Sequence, residues 1–236
     1  MILCCITTDP EQYPERWLSF LKDNATDGND YLHVNEPNIG VVPAMQLLYE
    51  RFQSEDIIAF VHSDVTVYDP TWAERVRAEF DDPKVAVVGF GGATGIGVDD
   101  IYKTRYQIEQ LQRINYASND RNWPTHGSYE AGSKDVAVID GFFMACRTSA
   151  LKEIGGWKGF GHNFHMYDCY ICLALIERGW KVRMVGCEAE HHGGGTSTSE
   201  SYRRWCHENG TTMEREHQEP HKFIYERFRS LLPYRV

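Results

Sequence analysis

The chain has 236 residues, 42% of them hydrophobic and 25% charged, which suffices for one substantial core and excludes global disorder. Its net charge of −10 excludes a general nucleic-acid binder, which needs a basic face, and no apolar run approaches bilayer-spanning length. Seven cysteines without paired metal spacing read as buried free thiols of a reducing compartment, and with no basic-then-apolar leader the expected location is cytoplasmic.

In chain order, Ile2 to Ile6 is an apolar strand halted by Thr7-Thr8-Asp9-Pro10, and Pro14 suits the first turn of a helix whose Trp17, Leu18 and Leu21 share a face. Tyr31 to Val34 reads as a second strand, closed by Asn35-Glu36-Pro37-Asn38. Val42 to Phe52 reads as a helix with Met45, Leu48, Tyr49 and Phe52 on one stripe. Ile57 to Val61 is an unbroken apolar run, the pattern of a parallel strand buried on both faces. Asp69-Pro70 predicts a helix start as N-cap and first-turn proline, with Trp72, Val76 and Phe80 facing inward, and Val85 to Gly89 predicts a further strand.

This alternation up to about residue 90 predicts an α/β domain with a doubly wound, mostly parallel sheet. Such sheets bind ligands at the carboxyl ends of their strands, which makes Thr7 to Asp9, Asn35 to Asn38 and His62 to Asp64 candidates. Residues 91–133 break the pattern with a flexible glycine run, Gly91 to Gly97, and read as a long insertion. The run lacks the lysine of a P-loop and a clean dinucleotide fingerprint, so it is not a phosphate cradle. Strands return at Val136 to Ile139 and Phe142 to Cys146, then a helix from Asp168 to Arg178 ended by Gly179, then a strand from Lys181 to Val185. A tail with helical character follows. Residues 201–236 carry seven Lys/Arg against five Glu, reversing the acidity of the remainder.

Four constellations carry chemistry. Asp64, at the tip of a buried strand in Phe60-Val61-His62-Ser63-Asp64-Val65, can hold Mn²⁺ or Mg²⁺ against a diphosphate, or can serve only as a turn residue. In Asp140-Gly141-Phe142-Phe143 the glycine permits close backbone approach to a ligand and the carboxylate can accept from sugar hydroxyls; an ordinary Asp-Gly turn is the alternative. Asp168 after Tyr167 suits a helix N-cap and equally a general base kept ionised by the helix N-terminus. His191 and His192, after a strand and before three glycines, can complete a metal site with Asp64, and the spacing does not say which of the two ligates.

In this order the pieces resemble glycosyltransferase family 2, the inverting enzymes of the GT-A fold that include cellulose and hyaluronan synthases. Asn38-Ile39-Gly40 before an apolar helix resembles the family's asparagine–x–glycine segment. Ile57 to Asp64 with Asp69-Pro70 and Trp72 resembles its D-x-D strand, with His62 in place of the first acidic residue. Val138 to Arg147 with Ile154-Gly155-Gly156-Trp157 resembles its acceptor-side segment. Tyr167-Asp168 through Arg178-Gly179-Trp180 resembles the stretch holding its catalytic Glu-Asp, with Tyr167 in place of the Glu.

The resemblance implies a single GT-A domain over 1–196, comprising a nucleotide-binding half (1–90), the insertion (91–133) and an acceptor and catalytic half (134–196), with 197–236 as a C-terminal tail or lid. It implies a metal-dependent hexosyltransferase using a UDP-sugar, UDP-glucose first among them, and a glycan or other hydroxyl acceptor. Thr7, Thr8 and Asp9 would lie near the nucleotide base, with Asp9 or Glu36 standing in for an acidic residue that holds the uridine. His62, Ser63, Asp140 and Gly141 would line the donor site. Asp64 with His191 or His192 would hold the metal, Asp168 would act as base, and Arg203 and Arg204 would close over the donor phosphates from the tail. Two rivals stand beside this reading: a silent glycan- or nucleotide-binding protein on the same fold, and a sugar-phosphate nucleotidyltransferase, whose basic glycine-rich N-terminal loop is missing here.

Overall fold

The computed structural model describes residues 1–8, 30–35, 38–98, 111–118, 132–191 and 199–236. The helix expected around Trp17, together with Asp9, Glu36, His192 and the Gly193–Gly195 run, lies outside the described residues.

A seven-stranded mixed sheet organises the molecule, in the order β2 (Asp30–Val34), β1 (Ile2–Thr7), β3 (Ile57–His62), β10 (Phe143–Arg147), β5 (Val85–Gly89), β11 (Lys181–Val185), β8 (Ser133–Val136). Strand β1 is parallel to β2 and β3, and β5 is parallel to β11, whereas β10 runs antiparallel between β3 and β5. The apolar runs are explained by burial on both faces. Successive side chains of a strand point to opposite sides, and here Ile2, Cys4, Ile58 and Phe60 enter one core cluster while Leu3, Cys5, Ala59 and Val61 enter another.

Helix α1 (Val41–Arg51) packs on the first face through Val42, Met45, Leu48 and Tyr49, joined there by α3 (Thr148–Ile154) and α4 (Tyr167–Ile176). Helix α2 (Trp72–Glu79) covers the second face, where Trp72 meets Phe143 edge-on at 5.5 Å and Phe90 stacks on Phe143 at 3.8 Å. Helix α2 starts two residues later than its sequence predicts. Thr71 is the N-cap, and Asp69 instead accepts hydrogen bonds from the Thr71 N–H and hydroxyl, a local Asx turn ahead of the helix.

The expectation of a flexible glycine run is overturned. Gly91–Val98 is strand β6, which pairs antiparallel with β7 (Leu111–Ser118), β9 (Val138–Ile139) and β13 (Tyr234–Arg235). Its small residues serve close packing: a Cβ on Gly92 would lie 2.7 Å from the Val138 carbonyl oxygen. Two further short strands, β4 (Val65–Val67) and β12 (Ala189–His191), form a separate antiparallel pair.

The tail folds as α5 (Glu200–Glu208) and α6 (Met213–Arg227), each opened by a hydroxyl cap: Ser199 accepts from the Tyr202 N–H and Thr212 from the Arg215 N–H. Ile224 and Phe228 are fully buried in the main core, so this end of the chain is anchored to the domain.

Candidate active site

A cavity of about 690 Å³ opens at the carboxyl ends of β1 and β3. Thr7, Thr8, Asn35, Asn38, His62, Ser63 and Asp64 reach it from the strand ends, as strand-end logic requires. Asn35 is tied in place: its N–H donates to the Thr7 carbonyl (2.7 Å), and its amide donates to Asn38 Oδ1 (3.2 Å) and the Gly40 carbonyl (3.3 Å).

The β4–β12 pair assembles three ligand-type side chains at the mouth of β3. Its register sets His191 opposite Val65, one residue beyond Asp64. His191 Nε2 therefore lies 3.4 Å from Asp64 Oδ1 and 3.4 Å from His62 Nδ1, and His62 Nδ1 lies 4.0 Å from Asp64 Oδ1. Among the described residues this is the group of His, Cys, Asp or Glu side chains able to hold a metal ion, its ligand atoms all within 4.8 Å of one another. Phe142 stacks on the His191 ring at 5.3 Å, and its carbonyl accepts the His62 N–H at 2.9 Å, which fixes both histidines against one turn.

The protonation states suit a cation. Burial, and then the field of His191, hold His62 below the usual imidazole range against the opposing pull of Asp64 and Asp140, so His62 is neutral at neutral pH. Burial works against ionisation of Asp64, but the hydrogen bond from His191 and the fields of both histidines keep its carboxyl below the usual range. An ionised carboxylate and a neutral His62 imidazole result, with His191 bonded to that carboxylate. Ligand atoms about 2.1 Å from an ion at near-tetrahedral angles lie about 3.4 Å apart, close to the separations found here.

Asp168 is buried and lines the same cavity, with Oδ2 accepting from the Gly141 N–H (3.1 Å) and Oδ1 from the Cys169 N–H (2.7 Å). It is not the N-cap expected from sequence. That position belongs to Met166, in a left-handed conformation (φ 63°) and without a side-chain cap, while Asp168 sits inside the first turn of α4. At Gly141 the close neighbour is Tyr167: a Cβ there would lie 2.4 Å from the Tyr167 hydroxyl. Asp140 is half-buried, gives its N–H to the Gly91 carbonyl at 2.8 Å, and is absent from the cavity lining.

Arg203 and Arg204 are exposed and do not reach the cavity. The reason is helical geometry: Tyr202 and Cys206, one turn apart, form the buried stripe of α5, which turns both arginines outward. The tail supplies Ser199, Ser201, Tyr202, His217 and His221 to the cavity instead. His217 and His221, four residues apart on α6, stand 5.0 Å apart by ring centroid, and His217 is 5.3 Å from His165, whose Nε2 is 3.0 Å from the Tyr202 hydroxyl. Sequence reading missed this cluster, for which the i, i+4 spacing of 217 and 221 was the one available signal.

Burial, reinforced by His217, pushes His165 down to about 4, and burial lowers His217 too. Because these folded-state values lie below the unfolded value near 6.5, the unfolded chain takes up protons first as pH falls. Stability should be full above about pH 6.5 and drain away towards pH 4, His165 alone contributing on the order of 3 kcal/mol. Urea unfolding at pH 7.5 and 4.5 checks this, and equal stability at the two would contradict it.

A family model described as a glycosyltransferase-like family matches residues 53–227, the greater part of the chain. The chain belongs to this family. As a glycosyltransferase it shares its fold with two solved enzymes. Against GalNAc-T7 with UDP, GalNAc and Mn²⁺ the TM-score is 0.52 at 13% identity, covering 80% of this chain and 37% of that one. Against the mannosyltransferase PcManGT from Pyrobaculum calidifontis in complex with GDP-Man and Mn²⁺ it is 0.54 at 12% identity, covering 98% and 70%. The architecture is the GT-A fold that the sequence predicts. No curated protein matches the sequence significantly. No helix among the described residues is long and apolar enough to cross a membrane.

Proposed function

We propose that this glycosyltransferase is metal-dependent and transfers a hexose from a UDP-sugar, UDP-glucose first among the candidates, to a hydroxyl acceptor with inversion at the anomeric carbon. One observation carries the reading: His62, Asp64 and His191 converge at a strand end, on a cavity that also holds the buried carboxylate Asp168. Mn²⁺ bound by the three side chains would neutralise the diphosphate leaving group. Thr7, Thr8 and Ser63 line the donor side, where Thr7 and Thr8 would meet the nucleotide. Asp168 takes the proton of the acceptor hydroxyl as its oxygen bonds to the anomeric carbon, and the carbon–oxygen bond to the diphosphate breaks on the opposite face. The two Gly141 and Cys169 N–H bonds orient the carboxylate and leave it lone pairs for that proton. Residues 1–196 form the catalytic unit in this reading, and residues 197–236 form a wall of the cavity. Mn²⁺ is named for both solved enzymes and supports the choice of ion, while UDP is named for GalNAc-T7 and GDP-Man for PcManGT, which supports a nucleotide-sugar donor as a class.

The donor set also speaks to the identity of the ion. Two imidazoles and one carboxylate favour a first-row transition metal over Mg²⁺, which prefers all-oxygen surroundings. Release of nucleotide from UDP-, GDP- and dTDP-sugars, assayed with EDTA, Mn²⁺ or Mg²⁺, tests the proposal. UDP-sugar turnover should vanish in EDTA, return fully with Mn²⁺, and be weaker with Mg²⁺. Undiminished turnover in EDTA would defeat the metal reading; preference for a GDP-sugar would correct the donor alone.

A further inference from the structure

Two positions at which the sequence departs from the family motifs, His62 and Tyr167, are in direct contact. Tyr167 is the first residue of α4, and its hydroxyl lies 2.6 Å from His62 Nε2 and 3.3 Å from the Gly141 carbonyl oxygen. A carbonyl can only accept, so the single hydroxyl proton is drawn towards Gly141 and the hydroxyl oxygen is left to accept from His62 Nε2–H. That arrangement leaves Nδ1 of His62 unprotonated, its lone pair on the side of Asp64 and His191. In a metal site, the hydrogen bond made by one ring nitrogen fixes which nitrogen is free to ligate.

Taking the Mn²⁺ reading above as its premise, we infer that Tyr167 is the positioning residue of the metal site. It locks the ring and tautomer of His62 so that Nδ1 faces the ion, and the side-chain-free Gly141 makes room for its hydroxyl. The histidine and the tyrosine thus work as one unit. An aspartate at position 62 would be too short to use this partner, and His62 without Tyr167 would lose the contact that selects its tautomer. The same Gly141 peptide gives its N–H to Asp168, so one peptide group holds the candidate base through its nitrogen and the metal site through its oxygen.

Two measurements on the full chain test this, neither using enzymatic activity. Nitrogen-15 NMR of the histidines in metal-free protein should find His62 protonated at Nε2, and Tyr167→Phe should abolish that preference; an Nδ1–H tautomer in the unaltered protein would overturn the inference. Mn²⁺ titrations followed by electron paramagnetic resonance should find the affinity of Tyr167→Phe reduced by roughly 10–100-fold, the usual effect of losing an outer partner of a metal ligand. The same substitution made on a His62→Ala background should cost nothing further. Gly141→Ala, whose Cβ would displace the Tyr167 hydroxyl, serves as a second variant and should weaken Mn²⁺ in the same direction. Normal Mn²⁺ binding that Tyr167→Phe leaves unchanged would overturn the role of Tyr167 alone. Failure of the unaltered protein to bind Mn²⁺ would overturn the metal reading and this inference with it.

Discussion

Asp168→Asn is expected to transfer sugar more slowly by a factor on the order of 10²–10⁴, the usual worth of a positioned base, while still binding UDP and Mn²⁺. The variant should also be less stable by about 1–3 kcal/mol. Were Asp168 the helix cap that the sequence offers as one of its two readings, asparagine could replace it at no cost to stability. In the structure each carboxylate oxygen takes one backbone N–H, from Gly141 and Cys169, and an amide can accept at only one end. Stability and chemistry are separated by assaying well below the variant's melting temperature, with binding of UDP and Mn²⁺ measured on the same sample. A near wild-type rate under those conditions would reduce Asp168 to a structural acceptor. Glu190 and Asp140 make poor substitutes as the base: Glu190 is hydrogen-bonded to the Tyr68 hydroxyl, and neither it nor Asp140 lines the cavity.

The second large effect is expected at Asp64. Asp64→Ala should lower Mn²⁺ affinity by more than 10²-fold and bring turnover to background, because it removes the one anionic ligand of the triad. The fold should survive, because the side chain lines the cavity and belongs to neither apolar core cluster. In a thermal melt the unaltered protein should gain about 2.7 kcal/mol from Mn²⁺ at a hundredfold excess over its dissociation constant, and Asp64→Ala should gain nothing. Mn²⁺-dependent turnover above a tenth of the original would rule Asp64 out as the principal ligand.

Much of this was legible in the sequence, for a definite reason. Strands β1, β3, β5 and β10 are buried on both faces, so each reads as an apolar run however its neighbours pair. The short elements were illegible because pairing, and not composition, makes them. Strand β4 is three residues long, and β6 is glycine-rich and exists because β7, β9 and β13 bond to it. The same gap limited the site. Asp64 could be named from its place at a strand tip, but only the register of β4 against β12 brings His191 to it. His62, a departure from the family motif when read as sequence, stands with Asp64 and His191 in the group able to hold a metal ion. Its partnership with Tyr167 joins residues 105 positions apart, beyond the reach of any local pattern.

The reversed direction of β10 gives the sheet two unlike borders. Its entry, beside the carboxyl end of β3, brings Gly141 and Phe142 against Asp168, Tyr167 and His62, whereas its exit at Arg147 lies at the far end. There the Arg147 guanidinium donates to the carbonyls of Phe80, Asp82 and Val85, and Thr148 donates to Asp56, so one short segment laces three others together. The cavity and the fastening are thus divided between opposite rims. For an engineer, the cavity rim is the place to graft new specificity, and the laced rim is the place to leave alone.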